Sequence, residues 1–377
     1  MRVEGNILGT SMRINDITII GGGIIGITTA VHLREIGYRT TLITALRADN
    51  SSLRSGYPQF ASLFPPACIL PHSIEMTDLV EVFAISQERF SKLAHVPEAG
   101  VRWQQHYELF EAIGAEEPEY ANVLVGYAPY GSDRDHLRFD RGSGSHVTGW
   151  VSEMLFAEIP TYVPYLYKRY LDQGGIIAEQ CLSKEDVANI RSDCVVNCTG
   201  LWARELFNDR DLYPVRGHLL LVLDAPVPFT PNGKLFSYTF KVPDSEYPYD
   251  LYFFARSKSS PPGARGWLLG GSRTAADPDK GEPWQFDPTP FEMVDGVPRI
   301  IFDVNRAILH RITNGTDLAA YPRQSYVGYR PARRGGVRLE AAEEFGRILI
   351  HNYGHGGAGV AMSWGCAMKV EQLISTL

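Results

Sequence analysis

Gly21, Gly23 and Gly26 stand in a Gly-x-Gly-x-x-Gly pattern, and that spacing suits one kind of chemistry. A short apolar run, Ile17 to Ile20, leads into them, and Ile27, Ala30 and Val31 follow at helical spacing. In such a strand–turn–helix unit the first glycine makes a tight turn. The second lets a pyrophosphate approach the backbone, and the third lets the helix lie close on the strand. Unpaired N–H groups and the dipole at the helix start then hold the phosphates. Gly37 stops the helix and Arg39 to Thr44 reads as a second strand, so the order strand, glycines, helix, strand is complete within about 30 residues. The unit predicts dinucleotide binding.

The five cysteines point away from metal chemistry. Cys68, Cys181, Cys194, Cys198 and Cys366 are an odd, scattered set that suits thiols in a reducing compartment. No Cys-x-x-Cys or paired His-x-x-x-His completes a zinc site, so no metal is expected. A net charge of -7 argues against a nucleic-acid or anionic-membrane surface. No apolar run reaches the roughly 18 residues of a membrane span. Residues 1–12 read as a loose extension without a signal-peptide core. The C-terminal Ser-Thr-Leu is a poor peroxisomal match, so a cytoplasmic protein is expected.

The elements that must position the site follow from hydrophobic pattern and breakers. Helices are expected over 75–95, 157–174, 298–314 and from the glycine-rich turn near residue 356 to the C-terminus. Strands are expected within 100–128, at 176–177, 193–198, 215–223, 251–255, 267–269 and 348–350. Pro261-Pro-Gly263 reads as a turn, Pro65-Pro66 as a rigid extended passage, and 131–146 as an exposed excursion.

Two late segments, Val327-Gly-Tyr-Arg-Pro-Ala-Arg333 continuing to Val337-Arg-Leu-Glu340, and His351-Asn-Tyr-Gly-His-Gly-Gly-Ala-Gly-Val-Ala-Met-Ser-Trp-Gly-Cys-Ala367, join Gly21–Gly26 and Val196-Asn-Cys-Thr-Gly-Leu-Trp-Ala203. Together they closely resemble the D-amino-acid oxidase family of FAD enzymes, which includes D-aspartate oxidases. The resemblance runs from about residue 16 onward. It implies an α/β fold in which a doubly wound, Rossmann-like FAD-binding domain (13–70, 151–210, 328–377) is interleaved with a mixed β-sheet substrate domain (71–150, 211–327). It also implies oxidation of an amino-acid Cα–N bond by hydride transfer to FAD. The imino acid hydrolyses to a keto acid and ammonia, and oxygen is reduced to hydrogen peroxide. A glycine or amine oxidase, a flavin dehydrogenase and a non-catalytic FAD-binding relative are alternatives on the same fold.

By that resemblance Arg330 clamps the substrate carboxylate, Tyr252 shares it, and the Gly357 carbonyl meets the substrate amine. A planar guanidinium fork suits a carboxylate because it gives two parallel hydrogen bonds. The second tyrosine of the family's pocket has no clear match, Tyr247 and Tyr249 both lying off the expected spacing. Cofactor contacts are implied for Gly21, Gly23, Ile24, Ile25, Gly26, Thr44, Arg47, Ala61, Ser62, Leu63, Cys181, Thr199, Gly200, Gly356, Gly357, Ala358, Gly359, Val360 and Ala361. Two positions depart from the family pattern. Ala361 stands where a threonine is common, and Thr44-Ala-Leu-Arg47 lacks the acid expected on the ribose, leaving Arg47 to reach a phosphate.

His355 in the glycine-rich turn reads as a structural hydrogen-bonder. The eight aromatics of 236–254 suggest a pocket for neutral, apolar or aromatic side chains, with Arg216 and Arg256 as the charges that could reverse this. The expected partners are a small amino acid and molecular oxygen, with a homodimer left open.

Overall fold

Asp16–Ile20 forms a central strand of a six-stranded sheet. A computed structural model describes residues 14–377 apart from 65–66, 113, 133–136, 143, 145, 244–245, 257–264, 278–279 and 281–289. The sheet order is Arg338–Glu344, Arg347–Tyr353, Cys194–Asn197, Asp16–Ile20, Arg39–Thr44, Ile176–Glu179. All neighbours are parallel except the edge hairpin 338–353. Helices Ile24–Glu35, Ile159–Asp172 and Gly359–Ser375 pack together beside this sheet in one apolar core with helix Leu79–Leu93. Near-continuous burial of Ile17–Ile20 and Cys194–Asn197 is what a parallel sheet flanked by helices requires. Among the described residues no helix is long and apolar enough to cross a membrane.

The second layer is a larger mixed sheet. Its long members are Leu212–Leu223, Gly266–Gly270, Leu251–Arg256, Phe236–Lys241, Val101–Glu111 and Val147–Ala157, with Arg323–Arg333 paired along Leu212–Leu223. Phe236–Lys241 and Val101–Glu111 run parallel and the other pairs are antiparallel. Alternation divides the faces. Tyr107, Leu109, Phe236, Tyr238, Phe240, Phe253 and Trp267 enter a core under helix Arg299–Ile312. His106, Glu108, Thr239, Tyr252 and Phe254 lie on the opposite face.

The strands Val147–Ala157 and Arg323–Arg333 were not expected, and the anticipated domain starts at 151 and 328 fall inside them. Both belong to the larger sheet, so the chain crosses between layers beyond their ends. Phe139 is 1% exposed, and its N–H donates to the Tyr130 hydroxyl, so the described part of 131–146 is anchored to the core. The readings at residues 1–12, Pro65-Pro66 and Pro261–Gly263 lie outside the described residues.

A buried ion cluster joins the layers. Glu158, between strand Val147–Ala157 and helix Ile159–Asp172, lies 2.9 Å from Arg256 and 3.0 Å from Arg102. Arg256 and Glu158 are 2% and 3% exposed, so neither can fall back on water. Removing one member of such a group leaves an uncompensated charge, which costs about 3–5 kcal/mol. Glu158→Ala is therefore expected to lower unfolding free energy by that amount in denaturant titration. A change below about 1 kcal/mol would refute the cluster's structural role.

Candidate active site

A cavity of about 430 Å³ runs from the glycine turn of the six-stranded sheet to the open face of the larger sheet. Gly21 has φ +104°, and a Cβ there would stand 2.4 Å from the Cys198 carbonyl oxygen. At Gly26 a Cβ would meet the Gly21 carbonyl oxygen at 1.8 Å, so that glycine is what lets the helix rest on the strand. The Gly23 position faces Ser62 Oγ at 3.1 Å, and this hydroxyl accepts a hydrogen bond from Ile24 N.

Neither N-cap residue, Gly23 or Ala358, caps its helix with a side chain, although Ser62 takes the Ile24 N–H, and Ile24, Ile25, Gly359 and Val360 line the cavity. Two helix starts on one cavity, one behind a glycine cradle, fit a cofactor with a pyrophosphate and a ring that gains negative charge. FAD is such a group. The cradle would hold its phosphates, Thr44 and Cys181 lie at the nucleotide end, and Gly356, Gly357, Gly359 and Val360 meet the other end.

Most expected contacts lie on this cavity: Gly21, Gly23, Ile24, Ile25, Thr44, Ala61, Ser62, Cys181, Thr199, Gly200, Gly356, Gly357, Gly359 and Val360. Five do not line it. Gly26 acts in packing, as described. Arg47 is paired with Asp49 at 2.6 Å and lies over the Tyr167 ring, away from the cavity lining. Leu63 is 2% exposed and turned into the core. Ala358 and Ala361 are each 1% exposed, and the Ala358 N–H is spent on the His355 carbonyl. His355 Nε2 lies 3.3 Å from Cys366 Sγ, deep in the interior, and burial pushes this imidazole down to about 3.

At the other end Arg330 and Tyr252 meet. Arg330 Nη1 donates to the Ser272 carbonyl at 3.1 Å. Burial pulls its guanidinium below the usual arginine value, partly offset by the adjacent Tyr252 hydroxyl. Burial likewise raises Tyr252, against the pull of Arg330 and Arg273. Glycines make room for both: a Cβ at Gly217 would strike the Arg330 guanidinium at 2.6 Å, and one at Gly270 would strike the Tyr252 hydroxyl at 2.3 Å. Gly357 closes this end, its N–H donating to the Ser73 carbonyl at 3.2 Å.

The aromatic pocket wall is corrected. Phe236, Tyr238, Phe240 and Phe253 enter the core on the far face, and only Tyr252 and Phe254 of the eight aromatics line the cavity. Tyr247 is buried with an unpartnered hydroxyl, yet neither it nor Tyr249 lines the cavity. Arg216 engages the Tyr329 hydroxyl at 2.8 Å, and Arg256 is held by Glu158, so neither faces the substrate end.

A different cation does. Arg273 lines the cavity, with its closest ion-pair partner, Asp250, at 3.5 Å. His72, Ser73, Cys68 and Thr239 line it as well. The sequence reading missed these residues. Arg273 stands two residues after the Gly270-Gly271 pair that ends the Gly266–Gly270 strand, and that position was its only local signal.

Comparison with known proteins agrees with this geometry. A family model described as FAD dependent oxidoreductase matches residues 16–373. A D-amino-acid oxidase of Streptomyces coelicolor is 30% identical over 380 residues, spanning 96% of this chain and 98% of that protein. A D-aspartate oxidase of Homo sapiens is 27% identical, spanning 95% of this chain and 94% of that protein. Glycine oxidase from Geobacillus kaustophilus shares the fold, with a TM-score of 0.62 at 16% identity over 96% of this chain and 94% of that one. With the match extending from the first strand into the last helix, and with the glycine cradle and both helix starts on one cavity, this chain belongs to the FAD dependent oxidoreductase family, among its amino-acid oxidases.

Proposed function

We propose that this protein is a FAD-dependent oxidase of D-amino acids whose side chain ends in a carboxylate, with D-aspartate and D-glutamate as substrates. The observation that carries the side-chain assignment is the presence of two guanidiniums, Arg330 and Arg273, on one cavity. One α-carboxylate compensates one of them. Asp250, 35% exposed and 3.5 Å away, compensates the other only in part. A dicarboxylic substrate satisfies both, and charge complementarity of this kind selects partners by several kcal/mol. The D configuration is supported by the names of the relatives, D-amino-acid oxidase and D-aspartate oxidase.

Each residue has a part that its geometry permits. Arg330 takes the α-carboxylate with its planar fork, and Tyr252 adds a hydroxyl donor. The Gly357 carbonyl accepts a hydrogen bond from the substrate amine. Arg273 receives the side-chain carboxylate. When bound, FAD supplies the two-electron acceptor that turns the Cα–N bond into an imine, which water hydrolyses to keto acid and ammonia, with oxygen the final acceptor. The chain's own contribution is to fix the orientation of Cα and to exclude water from it.

Arg330→Ala is expected to lose about tenfold or more in substrate affinity and about 10²-fold in rate while keeping its flavin absorbance. Arg330→Lys keeps the charge but not the fork, so it recovers only part of each. Wild-type anaerobic flavin bleaching by Arg330→Ala would show that the clamp lies elsewhere.

For Arg273, kcat/KM is measured with D-aspartate, D-glutamate, D-alanine and D-phenylalanine, following peroxide release. The acidic substrates are expected to lead. Arg273→Leu should lower them by about 10²-fold or more, with little change for D-alanine. A preference for D-phenylalanine in the wild type refutes the acidic assignment. Turnover without peroxide places the enzyme among dehydrogenases.

A further inference from the structure

His72, His106 and Glu108 converge beside the substrate end of the cavity. His106 and Glu108 are two apart on strand Val101–Glu111 and so project from the same face. His72 reaches them from the passage that follows the short strand at Ala67–Cys68. One ligand atom from each of the three lies within 4.8 Å of the others, and His72 Nε2 is 2.9 Å from Glu108 Oε1.

The His106 ring is fixed from behind. Its Nδ1 is 2.8 Å from Ser237 Oγ, and the same oxygen accepts a hydrogen bond from Gln104 Nε2 at 2.8 Å. That bond leaves Nε2 on the other side of the ring. This nitrogen is buried, on a residue 1% exposed, and has no hydrogen-bond partner. An unpartnered polar atom in such a place costs about 1–3 kcal/mol, and native structures rarely leave one without a water or an ion.

We propose that His72, His106 and Glu108 form a binding site for a divalent transition-metal ion of the zinc type. Two imidazoles and one carboxylate are a ligand set that zinc takes with a fourth position open. Imidazole nitrogen suits zinc, copper and nickel, whereas magnesium and calcium prefer oxygen. Ser237 plays the outer part that ligating histidines require, a hydrogen-bond partner on the remote nitrogen that fixes ring orientation.

The spacing is close to what a small ion needs. Bond lengths near 2.0–2.1 Å put tetrahedral ligand atoms about 3.4 Å apart. The 2.9 Å contact is already shorter, and closing the 4.8 Å limit asks for a movement of roughly 1.4 Å. Of the three, His72 has the freest side chain, 29% exposed. His72 also lines the cavity, so an ion held here sits in the wall of the substrate end. The site does not depend on which amino acid is oxidised.

The test uses tag-free, FAD-loaded protein, stripped with a chelator and titrated with zinc sulfate by calorimetry, with metal content measured after gel filtration. One zinc per chain is expected. Ser237→Ala should weaken binding about 10- to 100-fold, and His72→Ala should weaken it more, because a ligand and not its support is lost. His106→Ala should abolish it. Flavin content and melting temperature check that each variant is folded. The partly exposed His72 keeps the test decisive if the buried variants fail to fold. No stoichiometric zinc uptake by the wild type, or uptake unchanged in His72→Ala, overturns the proposal and leaves a buried water as the partner of His106 Nε2.

Discussion

A backbone hydrogen bond from Gly356 N to the Pro331 carbonyl at 2.8 Å joins the two ends of the cavity directly, where the shared apolar core and the Glu158 cluster join the layers around it. Pro331 follows Arg330 on a strand of the larger sheet, and Gly356 belongs to the turn that opens the last helix beside the six-stranded sheet. The bond therefore ties the strand that bears Arg330 to the helix start on the same cavity. It belongs to the isolated antiparallel bridge between Ala332 and His355. The turn tolerates little else: Gly356 has φ +51°, and a Cβ there would stand 2.6 Å from the Ser73 carbonyl oxygen. Ser73 itself adopts φ 59°, unusual for a residue with a side chain, and its carbonyl is held by Gly357 N. Strain at a site that neighbouring bonds over-determine is a means of keeping geometry fixed.

The nucleotide half was legible because its signals are local. Strand, glycines and helix occupy one short stretch, and the Arg39–Thr44 strand falls where hydrophobic pattern and Gly37 put it. Arg330 and Tyr252 were legible only through resemblance, since a lone arginine on a strand carries no signal of its own. The strand that bears Arg330 was itself missed. Its sequence, Arg-Gln-Ser-Tyr-Val-Gly-Tyr-Arg-Pro-Ala-Arg, is half-exposed and lacks a clean apolar alternation, because it lies over Leu212–Leu223 and follows a cavity instead of filling a core.

The aromatics of 236–254 misled for a related reason. Density of rings marks burial, but a sheet has two faces, and sequence does not say which one borders the ligand. Phe236, Tyr238 and Phe240 alternate with Ser237 and Thr239, and it is the polar set that points toward the cavity side. The same alternation assembles His106 and Glu108 next to Ser237 and Thr239, a cluster drawn from three chain segments that no local spacing rule can find.

Charge is the remaining link between this sheet and the chemistry. Arg330 is held by a carbonyl and a phenol, neither of them anionic, and burial lowers it from the ordinary arginine value. Arg273 adds a second positive charge that destabilises the first. A cavity kept in this state favours any ligand that brings negative charge and opposes one that brings an uncompensated amine. The backbone carbonyl of Gly357 can accept a hydrogen bond from an amine but cannot neutralise it, so the substrate must carry its own counter-charge, and an amino acid does. A cavity lined by arginine and backbone thus suits an amino acid better than a simple amine, before any side-chain contact is made.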